Sequence, residues 1–340
     1  MHLILVAPGL LARPQAALAA VRSLAVLAQR SREPHMYRAG LAAAMLDALD
    51  VPPTTPIAPL AALGAGIEVG GYMIAADPVL FAADRDDVVL VQRVDDLTGA
   101  ESAALIELLN RHFGADDLHF IAARPAAWFA RCAHAPALAT TPFDAAVLHG
   151  IFPFLPTGAD AGTWQRWQNE ISMLMHEHPV NDGREAARKA PVTGIWFSGG
   201  GTLADASRLP AANVHAAVGR LGDLARGMAM RGGGVVASLE MSDTFAQLLG
   251  DVDASSGQAD AVHLVVTDAI DHEDKLAKFD ANWLTPTLHA LDRKGLTRLT
   301  LIADGHGAAV RWTVTAQTLW QRMTAPGRRK PFSIPALTES

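Results

Sequence analysis

Ala261-Val262-His263-Leu264-Val265-Val266, helical spacing over Lys275–Lys294, and Leu299-Thr300-Leu301-Ile302-Ala303 together read as strand, helix, strand. Both strands are apolar at nearly every position, as expected of strands covered by helices on two faces. Pro286 falls inside the helical stretch and should kink it or split it in two. Working outward, the same strand type recurs at Leu3–Val6, ended by Pro8-Gly9, and at Val192–Phe197. Apolar strands separated by helices predict an α/β protein with a doubly wound, mostly parallel sheet.

The segments between these strands set the expected organisation. Gln15–Gln29 and Tyr37–Leu49 are alanine-rich and read as helices. Pro52, Pro53, Pro56 and Pro59 then suit a connection, because proline donates no backbone hydrogen bond. Beyond them Tyr72–Ala75, Val88–Gln92 and Leu118–Ala122 read as strands. Thr98 with Glu101 three residues later forms a capping box for a helix running to about His112. Pro136 and Pro142 close this section, and Thr163–His178 follows as an amphipathic helix. Its apolar face carries Trp164, Trp167, Ile171, Leu174 and Met175, and Pro179 ends it. The expected division is a core of 1–58 with 140–325, an inserted small α+β subdomain at 59–139, and a tail at 326–340.

Composition narrows the class. The chain has 340 residues, 50% hydrophobic and 19% charged, which excludes global disorder. The formal net charge is −7, and basic residues cluster only at Arg328-Arg329-Lys330, so no nucleic-acid partner is expected. No apolar run approaches the roughly 20 residues of a membrane span. The apolar start Met1–Val6 has no Lys or Arg before it, and reads as a buried strand rather than a signal peptide. A single cysteine, Cys132, precludes an internal disulfide and a thiolate cluster, and suits the cytoplasm.

Candidate chemistry centres on Gly199-Gly200-Gly201-Thr202, directly after the strand Val192–Phe197. Glycines at the carboxyl end of a strand let backbone amides approach a phosphate. The plainer alternative is a tight turn, since P-loop and dinucleotide spacings are both missing. His176 and His178 lie two apart and point in different directions on a helix, so they do not form a ligand pair. His178 alone suits an anion or a helix end. Asp304 and His306 follow a buried strand and are weak metal candidates. Asp268, Asp271 and His272 pose the same question. For Asp304-Gly305-His306-Gly307 a polar turn is the simpler reading. Ser198 lacks the flanking glycine pattern of a nucleophile elbow.

His178-Pro179-Val180-Asn181, Arg184 and the stretch Val192–Gly201 resemble the archaeal-type cofactor-independent phosphoglycerate mutases. The likeness is close over about 25 residues and loose over most of the chain. It extends to bacterial regulatory proteins of the Rpf E type. Gly9, Arg13 and Pro14 after the first strand, and Thr141, Pro142 and Asp144 further on, fit the same order of parts. The resemblance implies an alkaline-phosphatase-like core, with two metal ions and a serine that carries the phosphoryl group. It also implies that His178, Asn181, Arg184, Gly199, Gly200 and Gly201 bind a phosphorylated small molecule.

This chain departs from that pattern at the catalytic positions. Pro8 stands where a metal-binding aspartate belongs, and Phe143 where a histidine belongs. The region Tyr37–Leu49 offers no serine, and a glycine splits Asp304 from His306. The expectation is a pseudoenzyme with a binding or regulatory role and no cofactor. Two alternatives stay open. One is an active mutase or phosphatase, using Mn or Mg through ligands at other positions. The other is a structural or interaction protein without a small-molecule ligand, in which Arg184 and the glycines only hold the fold.

Overall fold

The structure is a computed structural model, and it describes residues 1–31, 33–84, 87–206, 209–240, 242–254, 261–293, 295–305 and 308–316. It forms two compact units, Met1–Pro53 with Arg208–Ser340, and Thr54–Ser207. The first crossing between them falls between Pro53 and Thr54. His306 and the expected tail lie outside the described residues.

The chain begins with β1 (His2–Ala7), a 3-10 turn (Leu10–Ala12), α1 (Gln15–Ala20), α2 (Arg22–Arg30), β2 (His35–Tyr37) and α3 (Gly40–Ala48). The second unit runs through α4 (Ile57–Gly64), β3 (Tyr72–Asp84), β4 (Asp87–Arg93), α5 (Gly99–Phe113), β5 (Leu118–Arg124) and β6 (Ala127–Cys132). It continues with α6 (Phe143–Ala146), α7 (Ala161–His176), α8 (Pro179–Ala186) and β7 (Gly194–Gly201). Back in the first unit come β8 (Ala212–Ala216), α9 (Arg220–Gly232), β9 (Val236–Ser238) and α10 (Phe245–Ala254). The chain closes with β10 (Val262–Val266), α11 (Glu273–Phe279), α12 (Thr285–Asp292), β11 (Arg298–Gly305) and β12 (Ala308–Thr315).

The first unit is the expected α/β layer structure. Its seven strands lie in the order β2-β12-β11-β1-β10-β8-β9. The five from β11 to β9 are parallel, and β12 and β2 extend one edge antiparallel. Leu3, Ile4, Leu5 and Val6 of the central strand are fully buried, which is why that stretch carries no polar residue. Pro286 does split its helix. A π turn, Asp280–Leu284, separates α11 from α12, and the proline sits in the first turn of α12, where its missing N–H costs nothing. Two expected helices come out shorter. Val21 interrupts the first with extended backbone, and Tyr37 ends strand β2 rather than opening α3.

The second unit differs from expectation. Val192–Phe197 does not join the parallel sheet, and the stretch 140–207 belongs with the inserted unit instead of the core. Strand β7 pairs antiparallel with β3, Ala75 opposite Ser198 and Val79 opposite Gly194. An apolar run marks any central strand, so composition cannot tell these two sheets apart. Strand β3 is long enough to pair with β4, β6 and β7. The α7 stripe reads as expected: Trp164, Ile171 and Met175 are buried, and Trp167 and Leu174 pack beside them, in a core with Phe113, Phe120 and Phe197. Among the described residues no helix is long and apolar enough to cross a membrane.

Candidate functional site

The phosphate-binding residues expected from sequence split into two groups at opposite ends of β7. His178, Asn181 and Arg184 gather around α8 and Val192, just before the strand. The glycines form its last three residues. Seven residues of extended chain separate Val192 from Gly199, about 23 Å at the usual rise. They therefore form no common pocket.

Each member of the first group already has protein partners. Pro179 ends α7 but also opens α8, and His178 is the residue that caps it. Its Nδ1 accepts from the Val180 N–H at 3.2 Å. Asn181 is 5% exposed. Its Nδ2 donates to the Met175 and Val192 carbonyls at 2.7 and 2.8 Å, and its Oδ1 accepts from the Val192 N–H at 2.8 Å. That side chain ties the end of α7 to the chain entering β7. Arg184 is 1% exposed, and its Nε donates to the Ala190 carbonyl at 2.8 Å. Nη1 donates to Glu101 Oε1 at 3.1 Å, and Nη2 to Asp96.

Glu101 is also the capping-box residue of α5, accepting from the Thr98 N–H at 2.7 Å. Burial by itself would raise the Glu101 carboxyl. The bonds from Thr98 and Arg184 outweigh it and hold the pKa below the usual carboxylate value. Asp96 is lowered in the same way, with Arg184 overcoming the burial effect. An arginine held between two carboxylates and a carbonyl is a brace, not a free anion grip.

The three glycines answer to packing. They are strand residues rather than a loop following one, as the sequence had suggested. A side chain on Gly199 would collide with Ile57, one on Gly200 with Tyr72, and one on Gly201 with Pro56. Gly199 also has a φ of +64°, which disfavours other residues, and its N–H donates to Thr140 Oγ1 at 3.2 Å. Their small size lets α4 and Tyr72 lie directly on β7.

In open α/β sheets ligands gather beyond the carboxyl ends of the strands, at the point where the chain switches sides. Here that point is β1, with β10 on one side and β11 on the other. The chain itself fills it. The Pro8 carbonyl accepts from the Ile270 N–H at 2.7 Å, beyond β10. The Gly9 N–H donates to Asp304 Oδ1 at 2.6 Å, at the end of β11. Leu10 and Leu11 are buried on top, and a side chain on Gly305 would run into the backbone of Leu11 and Ala12. The Asp304 carboxylate thus holds a backbone loop where a cation ligand was considered.

The other acidic candidates at this edge do not converge. Asp271 pairs with Lys275 at 2.8 Å on the surface, and His272 precedes α11 without capping it through its side chain. Among the described residues, no three His, Cys, Asp or Glu side chains are grouped to hold a metal ion.

Sequence reasoning missed a groove beside this edge. It is lined by Thr267 and Asp268 after β10 and by Lys275, Lys278, Phe279 and Trp283. The Thr267 hydroxyl lies 3.2 Å from the Val6 carbonyl and 3.1 Å from the Asp268 carbonyl, and donates to one of them. The segment following Val266 carried the signal, since polar residues directly after a buried strand mark its carboxyl edge. Also missed was Arg93, which lies 3.8 Å over the Phe143 ring and donates to Asp77 Oδ2 at 2.9 Å. The aromatic ring standing where the resemblance expects a histidine therefore serves as a platform for a cation.

No family model matches the chain, and neither does any curated protein. Among solved structures, the PH0037 protein from Pyrococcus horikoshii aligns with 93% of this chain and 87% of its own, at 12% identity and a TM-score of 0.51. The cofactor-independent phosphoglycerate mutase from Thermoplasma acidophilum DSM 1728 aligns with 94% of this chain and 90% of its own, at 15% identity and a TM-score of 0.43. At such identities the likeness to the Pyrococcus protein shows a shared fold.

Proposed function

We propose that this chain is a phosphoglycerate-mutase-like protein that has lost metal-dependent phosphoryl transfer and acts by binding, in a regulatory role. The observation that carries the reading is the bond from Gly9 to Asp304 across the switch point of the sheet. Two-metal phosphoryl transfer needs several carboxylates and imidazoles converging on an open cavity. In this chain Pro8 offers no ligand, Asp304 is engaged by backbone, and Leu10 and Leu11 cover the edge. The proposed ligand is a small phosphorylated molecule whose phosphate reaches Lys278 at the mouth of the groove.

A mutase and phosphatase assay of the purified protein with manganese or magnesium tests the loss of catalysis, and no turnover is expected. Thermal-shift measurements with phosphoglycerates test the ligand. A ligand at a hundred times its Kd adds about 2.7 kcal/mol of stability. Stabilisation that Lys278→Ala removes supports the groove. An interaction protein without a small-molecule ligand is the second reading, favoured by the fully engaged side chains of Asn181 and Arg184. It gains if no phosphate ester stabilises the fold.

A further inference from the structure

The groove beside the carboxyl edge of the first unit's sheet holds a donor that the fold itself does not use. Lys275, Phe279 and Trp283 follow one another four residues apart, so they lie on one side of α11 and the π turn after it, and all three line the groove. Trp283 is 4% exposed, yet its indole N–H donates to no group among the described residues. Nor is that nitrogen sealed in the core, as both ring nitrogens of His263 are. A tryptophan this deeply buried normally pairs its N–H, because an unmatched donor costs free energy.

Charge and space set what else the groove accepts. Lys275 is committed to Asp271 at 2.8 Å, whereas Lys278 is exposed and has no ion pair among the described residues. Glu240 and Asp268 also line the groove. One uncommitted cation beside two carboxylates accommodates one anionic group and repels a second. The enclosed part of the groove measures about 30 Å³, room for one or two water-sized groups and not for a ring.

We infer that the Trp283 indole N–H selects the ligand by its uncharged end, an inference that rests on the groove being the phosphate seat. The ligand is then a short phosphate ester whose other end is a neutral hydroxyl or carbonyl. Its phosphate meets Lys278, and its neutral oxygen accepts from Trp283. An alkyl phosphate leaves the indole donor unmatched, and a site built around such a donor rejects an analogue that lacks the acceptor. A phosphorylated carboxylic acid instead sets a second anion against Glu240 and Asp268.

Isothermal titration of the full chain with hydroxypropyl, propyl and carboxyethyl phosphate tests this, with Tm measured for every variant. Hydroxypropyl phosphate is expected to bind about fivefold tighter than propyl phosphate, the worth of one hydrogen bond, and carboxyethyl phosphate more weakly than either. Trp283→Phe keeps an aromatic ring and removes the donor, so the preference for the hydroxyl should vanish while propyl phosphate binds as before. Equal binding of hydroxypropyl and propyl phosphate to the wild type overturns the inference and leaves the phosphate seat standing. So does a preference that Trp283→Phe retains, or carboxyethyl phosphate binding as tightly as hydroxypropyl phosphate. If no ester binds, or Lys278→Ala leaves all of them unchanged, the seat itself falls and the inference with it. If Trp283→Phe fails to fold, the comparison of esters on the wild type decides.

Discussion

Gly9 and Asp304 stand 295 positions apart in the chain, yet the Gly9 N–H donates to Asp304 Oδ1 at 2.6 Å. The bond fastens the loop after β1 to the end of β11, across the place where sheets of this kind accept ligands. With Pro8 bonded to Ile270 on the other flank, that loop is held from both sides. A carboxylate used in this way supports structure.

Asp304→Ala is accordingly expected to destabilise the protein by about 1–3 kcal/mol, the usual cost of losing a charged acceptor from a half-buried bond. Urea denaturation gives the measurement. A midpoint that does not move would mean the bond contributes nothing to the edge.

Arg184 is expected to behave as a brace. Arg184→Ala leaves the Ala190 carbonyl without its donor and opens a void, for a loss of about 2–4 kcal/mol. Arg184→Lys should recover only part of this, because three acceptors in different directions suit a guanidinium and not an ammonium. If instead Arg184→Ala keeps its stability and loses affinity for a phosphate ester, the side chain is a ligand after all.

The pH dependence has a specific source in the first unit. His263 is 2% exposed, and neither ring nitrogen has a hydrogen-bond partner among the described residues. Burial first, then the stacked His215 ring 6.0 Å away, pushes its pKa down to about 4. The unfolded chain, with histidine near 6.5, binds the proton more readily than the fold does. Stability is therefore whole above about pH 6.5 and declines as pH falls toward 4. His2, lowered to about 4 by burial and then by Arg298, acts in the same direction. His263→Leu should flatten the decline between pH 6.5 and 5 by about 2 kcal/mol, read from denaturation midpoints at each pH.

The glycines at the end of β7 allow a separate check. Gly199→Ala introduces both a strained φ and a collision with Ile57, and should cost more than about 1 kcal/mol. Ile57→Ala in the same chain should return part of that loss, because it clears the collision and leaves the strain.

Much of the fold is legible where its signals are local. Val262–Val266 and Leu299–Ala303 are apolar at nearly every position, and helical spacing lies between them. Thr98 and Glu101 predict their own capping box, and Pro286 its own break. What stayed hidden depends on distant partners. The apolar run before Gly199 looks the same whether it pairs with β1 or with β3. Strand β8 escaped notice because Asn213 and His215 interrupt its apolar residues. The motif His178, Asn181, Arg184 is plain in the sequence, but its role is decided by Asp96, Glu101 and Val192. Asp96 and Glu101 lie 88 and 83 positions from the arginine they hold. A motif shows which residues matter, and only the partners show whether they face a ligand or one another.

Manganese binding to the purified protein, measured by equilibrium dialysis with mutase turnover recorded on the same samples, decides whether metal-dependent phosphoryl transfer has been lost. Less than one tightly bound ion per chain, and no turnover above the protein-free rate, are expected. Two bound ions per chain, with conversion between phosphoglycerates that disappears when the metal is chelated, would contradict that loss.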